Sequence, residues 1–325
     1  MRLASLATGG RDGTLVVVDR ALSRCTPVPE IAPTLRASLD DWRACAPRLH
    51  EACAALNEGR RADSRPFNAR AAAAPLPRAA QFLDASAYLH HVELVRRARG
   101  AEMPPALHDE PLMYQGCSDP MLGACAPIRA ADAAWGIDLE GEIAVITDDV
   151  PCGINAQSAR VCLVMLLNDV SLRNLIPNEL AKGFGFVHGK PPSACAPVAV
   201  SPDALGGAWH DGRLHARMEV RVNDRIIGTP RTGRGMAFDF ARLIAHAART
   251  RPLGAGTVIG SGTVSNAEPG TGAACLAEVR MDEVLADGAP TTPFLQFGDR
   301  VRIDVVDDRG ASLFGAIEQV VEPCR

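Results

Sequence analysis

The chain has 325 residues, 47% of them hydrophobic and 22% charged, with a formal net charge of -4 at pH 7. A chain of that length buries a sizeable core, and the composition lies far from the disordered class. The mildly negative balance gives no general drive toward nucleic acid or anionic membrane, no apolar run reaches a membrane span, and the first ten residues lack a signal-peptide core, so we expect a cytoplasmic protein whose partner is a small molecule.

Alternation predicts strands at 2–7 and 14–19 around a Gly-Gly-Arg-Asp-Gly turn, then a helix through Leu35, Leu39 and Trp42 that Pro47 breaks or kinks. Residues 60–80, rich in Arg, Ala and Pro, read as a linker or extended crossover, which divides the chain into a small domain at 1–75 and a larger one at 76–325. A helix over 82–100 follows, capped by Asp84 or Ser86, with Tyr88, His91, Val92 and Val95 at helical spacing and Arg96, Arg97 and Arg99 at its end, where cations favour the dipole. Strands are expected within 135–147, 213–228, 256–266, 275–285 and 299–310, and helices at 156–169 and 236–250. The pattern is that of an α+β, mostly β fold. The ten cysteines are scattered, with no C-x-x-C pair, and read as free thiols.

Chemistry concentrates in two places. Side chains two apart on a strand share a face, so Glu140 and Glu142 sit side by side in an apolar, at least half-buried strand. Two such carboxylates repel and need a shared proton or a cation. The aliphatic run 161–167 ends in Asn168 and Asp169, which places a third carboxylate at the margin of the core. Oxygen ligands without a neighbouring His or Cys cluster match Mg2+, Ca2+ or Mn2+ rather than zinc. A Glu-x-Glu strand also suits a solvated outer face, Asp84 a helix cap and Asp169 a turn. Neither a G-x-G-x-x-G dinucleotide loop nor a G-x-S-x-G elbow is present.

Asp84 with His91 seven residues on, Asp138-x-Glu140-x-Glu142, Asn168-Asp169-x-Ser171-x-Arg173, Gly189-Lys190, Ser261-Gly262-Thr263-x-Ser265, and then Glu278 on what reads as the next strand come in a fixed order. In these motifs the chain, from Phe82 to Val321, resembles the fumarylacetoacetate hydrolase family. The resemblance implies a mixed β-sheet roll with a small N-terminal α/β segment. It also implies a metal held by Asp84, Glu140, Glu142 and Asp169, His91 as general base oriented by Glu278, and Lys190 stabilising oxyanion charge. Gly262 and Thr263 then touch the substrate carboxylate. Lys182 competes for the lysine position, but Lys190 keeps the family-like spacing from Asp169.

Several positions depart from the family pattern. Ser86 stands where members that cleave fumarylacetoacetate have a tyrosine, although Tyr88 is close. Tyr114 survives from a Tyr-His-Gly-Arg sequence whose arginine is here Cys117, and Ile176 replaces a glutamine. With Arg173 these positions form the substrate side and point to a smaller or differently charged acyl group. The implied activity is metal-dependent hydrolysis of a carbon-carbon bond in a β-diketone or acylpyruvate-type oxo-acid, as in aromatic compound catabolism, by a homodimer. Decarboxylation, isomerisation or hydration of a 2-oxo-dicarboxylate on the same metal set stays open, as does a non-catalytic metal- or carboxylate-binding role.

Overall fold

Side-chain alternation along the central strands splits the core into two layers. Val164 and Leu166 pack in one apolar cluster with Ile143 and Val145, while Leu163, Met165 and Leu167 pack in the other with Ala144 and Ile146. The computed structural model describes residues 1–97 and 102–324. Its main sheet has eleven strands. They run in the order Arg65–Pro66, Arg24–Pro27, Thr14–Val18, Arg2–Leu6, Ala199–Val200, Leu163–Asn168, Gly141–Ile146, Thr257–Gly260, Gln81–Ala85 and Met113–Gly116, with Ala194–Cys195 also paired to Leu163–Asn168. The N-terminal strands thus continue the sheet that bears the carboxylates, Arg2–Leu6 lying antiparallel to Ala199–Val200. A second sheet orders Arg225–Gly228, Arg217–Val222, Arg300–Val306, Ile317–Pro323 and Ile128–Ala130. The architecture is α+β and dominated by mixed sheet.

Four local expectations are corrected. Residues 161–169 form the strand Leu163–Asn168 rather than part of a helix. It is buried on both faces, so its apolar run is continuous and carries neither period. Residues 275–285 belong to the helix Leu276–Asp287 rather than to a strand, which moves Glu278 into a helical first turn. Val279 and Val284 gave that segment its β-branched look, but its ends decide: Cys275 Sγ accepts the Glu278 N–H, and Gly288 closes the helix in the left-handed region. Residues 81–85 are a strand, and the helix there spans Leu89–Arg97, so Asp84 is no helix cap. The expected continuation to Gly100 with Arg99 lies outside the described residues. Finally, the helix Trp42–Asn57 runs through Pro47. Pro47 and Arg43, the residue whose carbonyl loses its donor, are both on the exposed face, where water can replace the missing bond.

Candidate active site

The sheet places the carboxylates. In the parallel pairing of Gln81–Ala85 with Thr257–Gly260, Asp84 lies opposite Gly260, and Gly260 in turn pairs with Ala144, two residues from Glu142. A side chain at Gly260 has no room, because a Cβ there would sit 2.2 Å from Asp84 Oδ1 and 2.9 Å from Glu142 Oε2. The strand Leu163–Asn168 ends one residue before Asp169, whose N–H donates to the Glu140 carbonyl at 3.0 Å. Asp84, Glu142 and Asp169 are all buried, and their oxygens converge within 4.8 Å of one another.

Electrostatics make that trio unstable alone. Both Glu142 oxygens are buried without a hydrogen-bond partner among the described residues. Burial, then the charges of Asp84 and Asp169, hold the Glu142 carboxyl well above the usual carboxylate range. Burial and the charge of Asp169 likewise push Asp84 up to about 8. Two orphaned Glu142 oxygens within 4.8 Å of Asp84 and Asp169 oxygens, with oxygen the only donor type in the trio, fit a hard divalent cation, so the residues present suit the group that the sequence implies.

Glu140 stands to one side, with its oxygens taken by Arg173 at 2.6 Å and by Lys190 at 2.6 Å. Lys190 also donates to Asp169 Oδ2 at 2.6 Å and therefore bridges two carboxylates. Burial works against the Lys190 charge, but Asp169 and Glu140 outweigh it and hold the ammonium above its ordinary range. The same contest pulls Glu140 below the usual carboxylate range, since Arg173 and Lys190 overcome burial. Tyr114 OH and Ser193 Oγ also donate to Asp169.

Across the cleft, the helix Leu89–Arg97 presents His91, whose Nδ1 lies 2.6 Å from Glu278 Oε1. Asp138 builds the platform for that contact. Its buried carboxylate accepts the N–H groups of Leu276 at 2.8 Å and Ala277 at 2.9 Å, capping the helix that carries Glu278, and it receives Arg173 Nε at 2.9 Å. His91, Tyr88, Tyr114, Arg173, Lys190, Gly262 and Thr263 all line one cleft of about 420 Å³ with Asp84 and Glu140. The larger cavity, about 830 Å³ beside His210 and His215, contains none of these residues.

All twelve residues singled out in the sequence fall in or against this region. Gly262 adopts φ +77° and donates its N–H to Asp84 Oδ1 at 3.2 Å. Tyr88 OH donates to the Thr232 carbonyl. Lys182 makes no contact with the carboxylates, and the lysine at the site is Lys190. Sequence reasoning missed the capping role of Asp138, although it sits in the quoted motif, and gave no signal for Ser193. It also missed Glu179, which accepts the N–H groups of Val187, His188 and Gly189 and so pins the loop leading to Lys190.

The family model for the fumarylacetoacetate (FAA) hydrolase C-terminal region matches residues 81–322, and that for fumarylacetoacetase N-terminal domain 2 matches residues 1–78. The chain belongs to the fumarylacetoacetate hydrolase family. No curated protein matches it in sequence. Among solved structures, the fumarylacetoacetate hydrolase of Exiguobacterium antarcticum is 18% identical, with a TM-score of 0.70 and 100% of each chain covered. The maleylpyruvate hydrolase of Sphingobium sp. SYK-6, solved with manganese (II) ion and pyruvate, is 16% identical with a TM-score of 0.65, again over 100% of both chains. The 5-carboxymethyl-2-hydroxymuconate delta-isomerase of Mycobacterium smegmatis is 19% identical with a TM-score of 0.61 and the same coverage. At these identities the likeness is one of fold, and the fold hosts both hydrolases and isomerases.

Proposed function

We propose that the protein is a metal-dependent hydrolase that cleaves a carbon-carbon bond in an acylpyruvate-type or β-diketone oxo-acid. The observation that carries this reading is the His91–Glu278 pair, with His91 on the wall of the cleft that Asp84 of the carboxylate trio also lines. Hydrolysis needs an activated water as well as charge stabilisation, whereas isomerisation or decarboxylation through an enolate does not need that water.

With Nδ1–H donated to Glu278, the Nε2 of His91 is left as the acceptor for a proton from water. Asp138 fixes the helix that holds Glu278, so the base keeps its orientation through a chain of hydrogen bonds. Lys190 supplies fixed positive charge beside Asp169 for the oxyanion that water attack creates. Gly262 and Thr263 border the cleft where an oxo-acid carboxylate would rest. Asp84, Glu142 and Asp169, with Glu140 adjacent, would hold Mg2+ or Mn2+, which when bound supplies Lewis-acid stabilisation of enolate charge.

The test is a product assay on acylpyruvates and oxaloacetate with each cation. Paired hydrolytic fragments are the expected outcome. Carbon dioxide from oxaloacetate without any hydrolytic fragments from acylpyruvates would defeat the hydrolase reading and leave the decarboxylase.

A further inference from the structure

Across the cleft from the carboxylate trio, a second set of donors converges, and its chemistry is different. One imidazole nitrogen of His91, Cys275 Sγ and a Glu278 carboxylate oxygen lie within 4.8 Å of one another. Cys275 and Glu278 are buried, while His91 lines the cleft with 17% of its side chain exposed. None of the other cysteines belongs to such a group among the described residues. His91 and Glu278 have a part in the proposed mechanism, but the thiol has none. Its Sγ accepts the Glu278 N–H at 3.4 Å, a capping task that a serine oxygen performs at least as well, so the helix alone does not account for sulfur at this position.

Nitrogen, sulfur and carboxylate oxygen together suit a borderline-soft cation such as Zn2+ or Cd2+, whereas the all-oxygen trio suits Mg2+ or Mn2+. Charge favours the same choice. Burial and the charges of Glu278 and Asp138 hold the Cys275 thiol well above its ordinary range, so without a soft cation the sulfur keeps its proton. A divalent ion displaces that proton to solvent and meets one thiolate and one carboxylate. The ion and its two anions then sum to zero charge, the state that burial penalises least. The ion enters from the cleft, which His91 and Ala277 both border, and water takes the fourth tetrahedral position.

We propose that His91, Cys275 and Glu278 form a second metal site, selective for thiophilic divalent cations, whose occupation switches the enzyme off. Bound through Nδ1, the ion forces the ring proton onto Nε2; bound through Nε2, it takes that lone pair itself. In either arrangement His91 no longer accepts a proton from water. Ligation rests on the three side chains alone, and only the loss of turnover rests on the role proposed above for His91. The test therefore reads the bound ion and the turnover separately.

Cadmium is the probe, because a Cd2+-bound thiolate gives an ultraviolet charge-transfer band that a carboxylate site does not. In saturating Mg2+, which holds the trio, Cd2+ should produce this band in the wild type. Cys275→Ser, which keeps a cap for the helix, should lose it, and His91→Ala should bind Cd2+ at least about tenfold more weakly. A band equal in the wild type and Cys275→Ser, or an affinity unchanged in His91→Ala, overturns the proposal. Where an acylpyruvate is turned over, Zn2+ should inhibit the wild type at least about tenfold more strongly than Cys275→Ser, and added Mg2+ should not relieve it. Inhibition equal in both, or reversed in step with Mg2+, would locate the effect at the trio and overturn the switch. Failure of every acylpyruvate to be cleaved would sink the hydrolase reading and leave the cadmium titration standing.

Discussion

Glu142→Gln is the perturbation that most directly tests the carboxylate trio. In the wild type the two Glu142 oxygens are buried and unpartnered, within 4.8 Å of oxygens of Asp84 and Asp169. At that separation and an effective dielectric of 20, like charges repel by about 3.5 kcal/mol per pair. The amide would remain unpartnered at a cost of about 1–3 kcal/mol, so relief of about 7 kcal/mol from two neighbours wins and the metal-free variant should gain about 4–6 kcal/mol where all three groups are ionised. For 325 residues the unfolding entropy is roughly 0.7 kcal/mol per degree, which makes the gain about 6–9 °C in Tm.

The sign depends on pH. Asp84 is pushed up to about 8 and Glu142 is raised as well, so the folded wild type holds protons that the unfolded chain releases at ordinary carboxylate pKa values. Stability contributed by the Asp84 proton is present at low pH and lost as pH rises through about 8, and the raised Glu142 carboxyl acts in the same direction. The Tm advantage of Glu142→Gln should therefore be near zero at pH 5 and greatest at pH 9 in chelator. A cation at 100 times its Kd should raise the wild-type Tm by about 4 °C, and that of the variant by about 1 °C if affinity falls about thirty-fold. Thermal melts with and without Mn2+ at both pH values measure all four quantities. A variant less stable than the wild type at pH 9 without metal, or one keeping the full Mn2+ shift, would refute the reasoning.

Three further outcomes follow from the same geometry. His91→Ala should lower kcat by about 10²- to 10⁴-fold while the Mn2+-dependent Tm shift persists, and retained turnover removes His91 from the mechanism. Lys190→Met leaves Glu140 and Asp169 without their shared ammonium and should cost about 3–5 kcal/mol in chelator, read as a Tm drop that bound Mn2+ partly reverses. Gly260→Ala drives a Cβ to 2.2 Å from Asp84 Oδ1, so calorimetry should find Mn2+ affinity lowered at least about tenfold, and unchanged affinity would show that Asp84 is no ligand.

The site was more legible in the sequence than the elements that hold it. Motif residues kept their order and converge because each sits at a strand end or a strand-adjacent turn: Asp84 on Gln81–Ala85, Glu142 on Gly141–Ile146, Asp169 just past Leu163–Asn168. Their chemistry did not depend on whether the preceding apolar run was called helix or strand. That distinction was lost where burial on both faces erased the period of residues 163–167, and where Glu278 sat in a helix with buried residues only in its first turn. Arg280, which also borders the cleft, was illegible for another reason. Nothing in its sequence neighbourhood announces that Thr292 and Phe294 will hold its guanidinium at the cleft.

Charge balance ties these elements together. Asp84, Asp138, Glu140, Glu142 and Asp169 bring five carboxylates to one buried end of the sheet, and Arg173 and Lys190 are the cations in contact with them. Three negative charges remain over, which burial penalises heavily unless protons or a cation arrive. A divalent ion removes two of them and leaves the cluster still slightly negative, a poor host for an anionic oxo-acid. A further positive group on the substrate side is then a requirement of binding rather than an ornament. On that side the cleft is bordered by Arg280, whose guanidinium stacks on Phe294 and donates to the Thr292 carbonyl and forms no ion pair among the described residues.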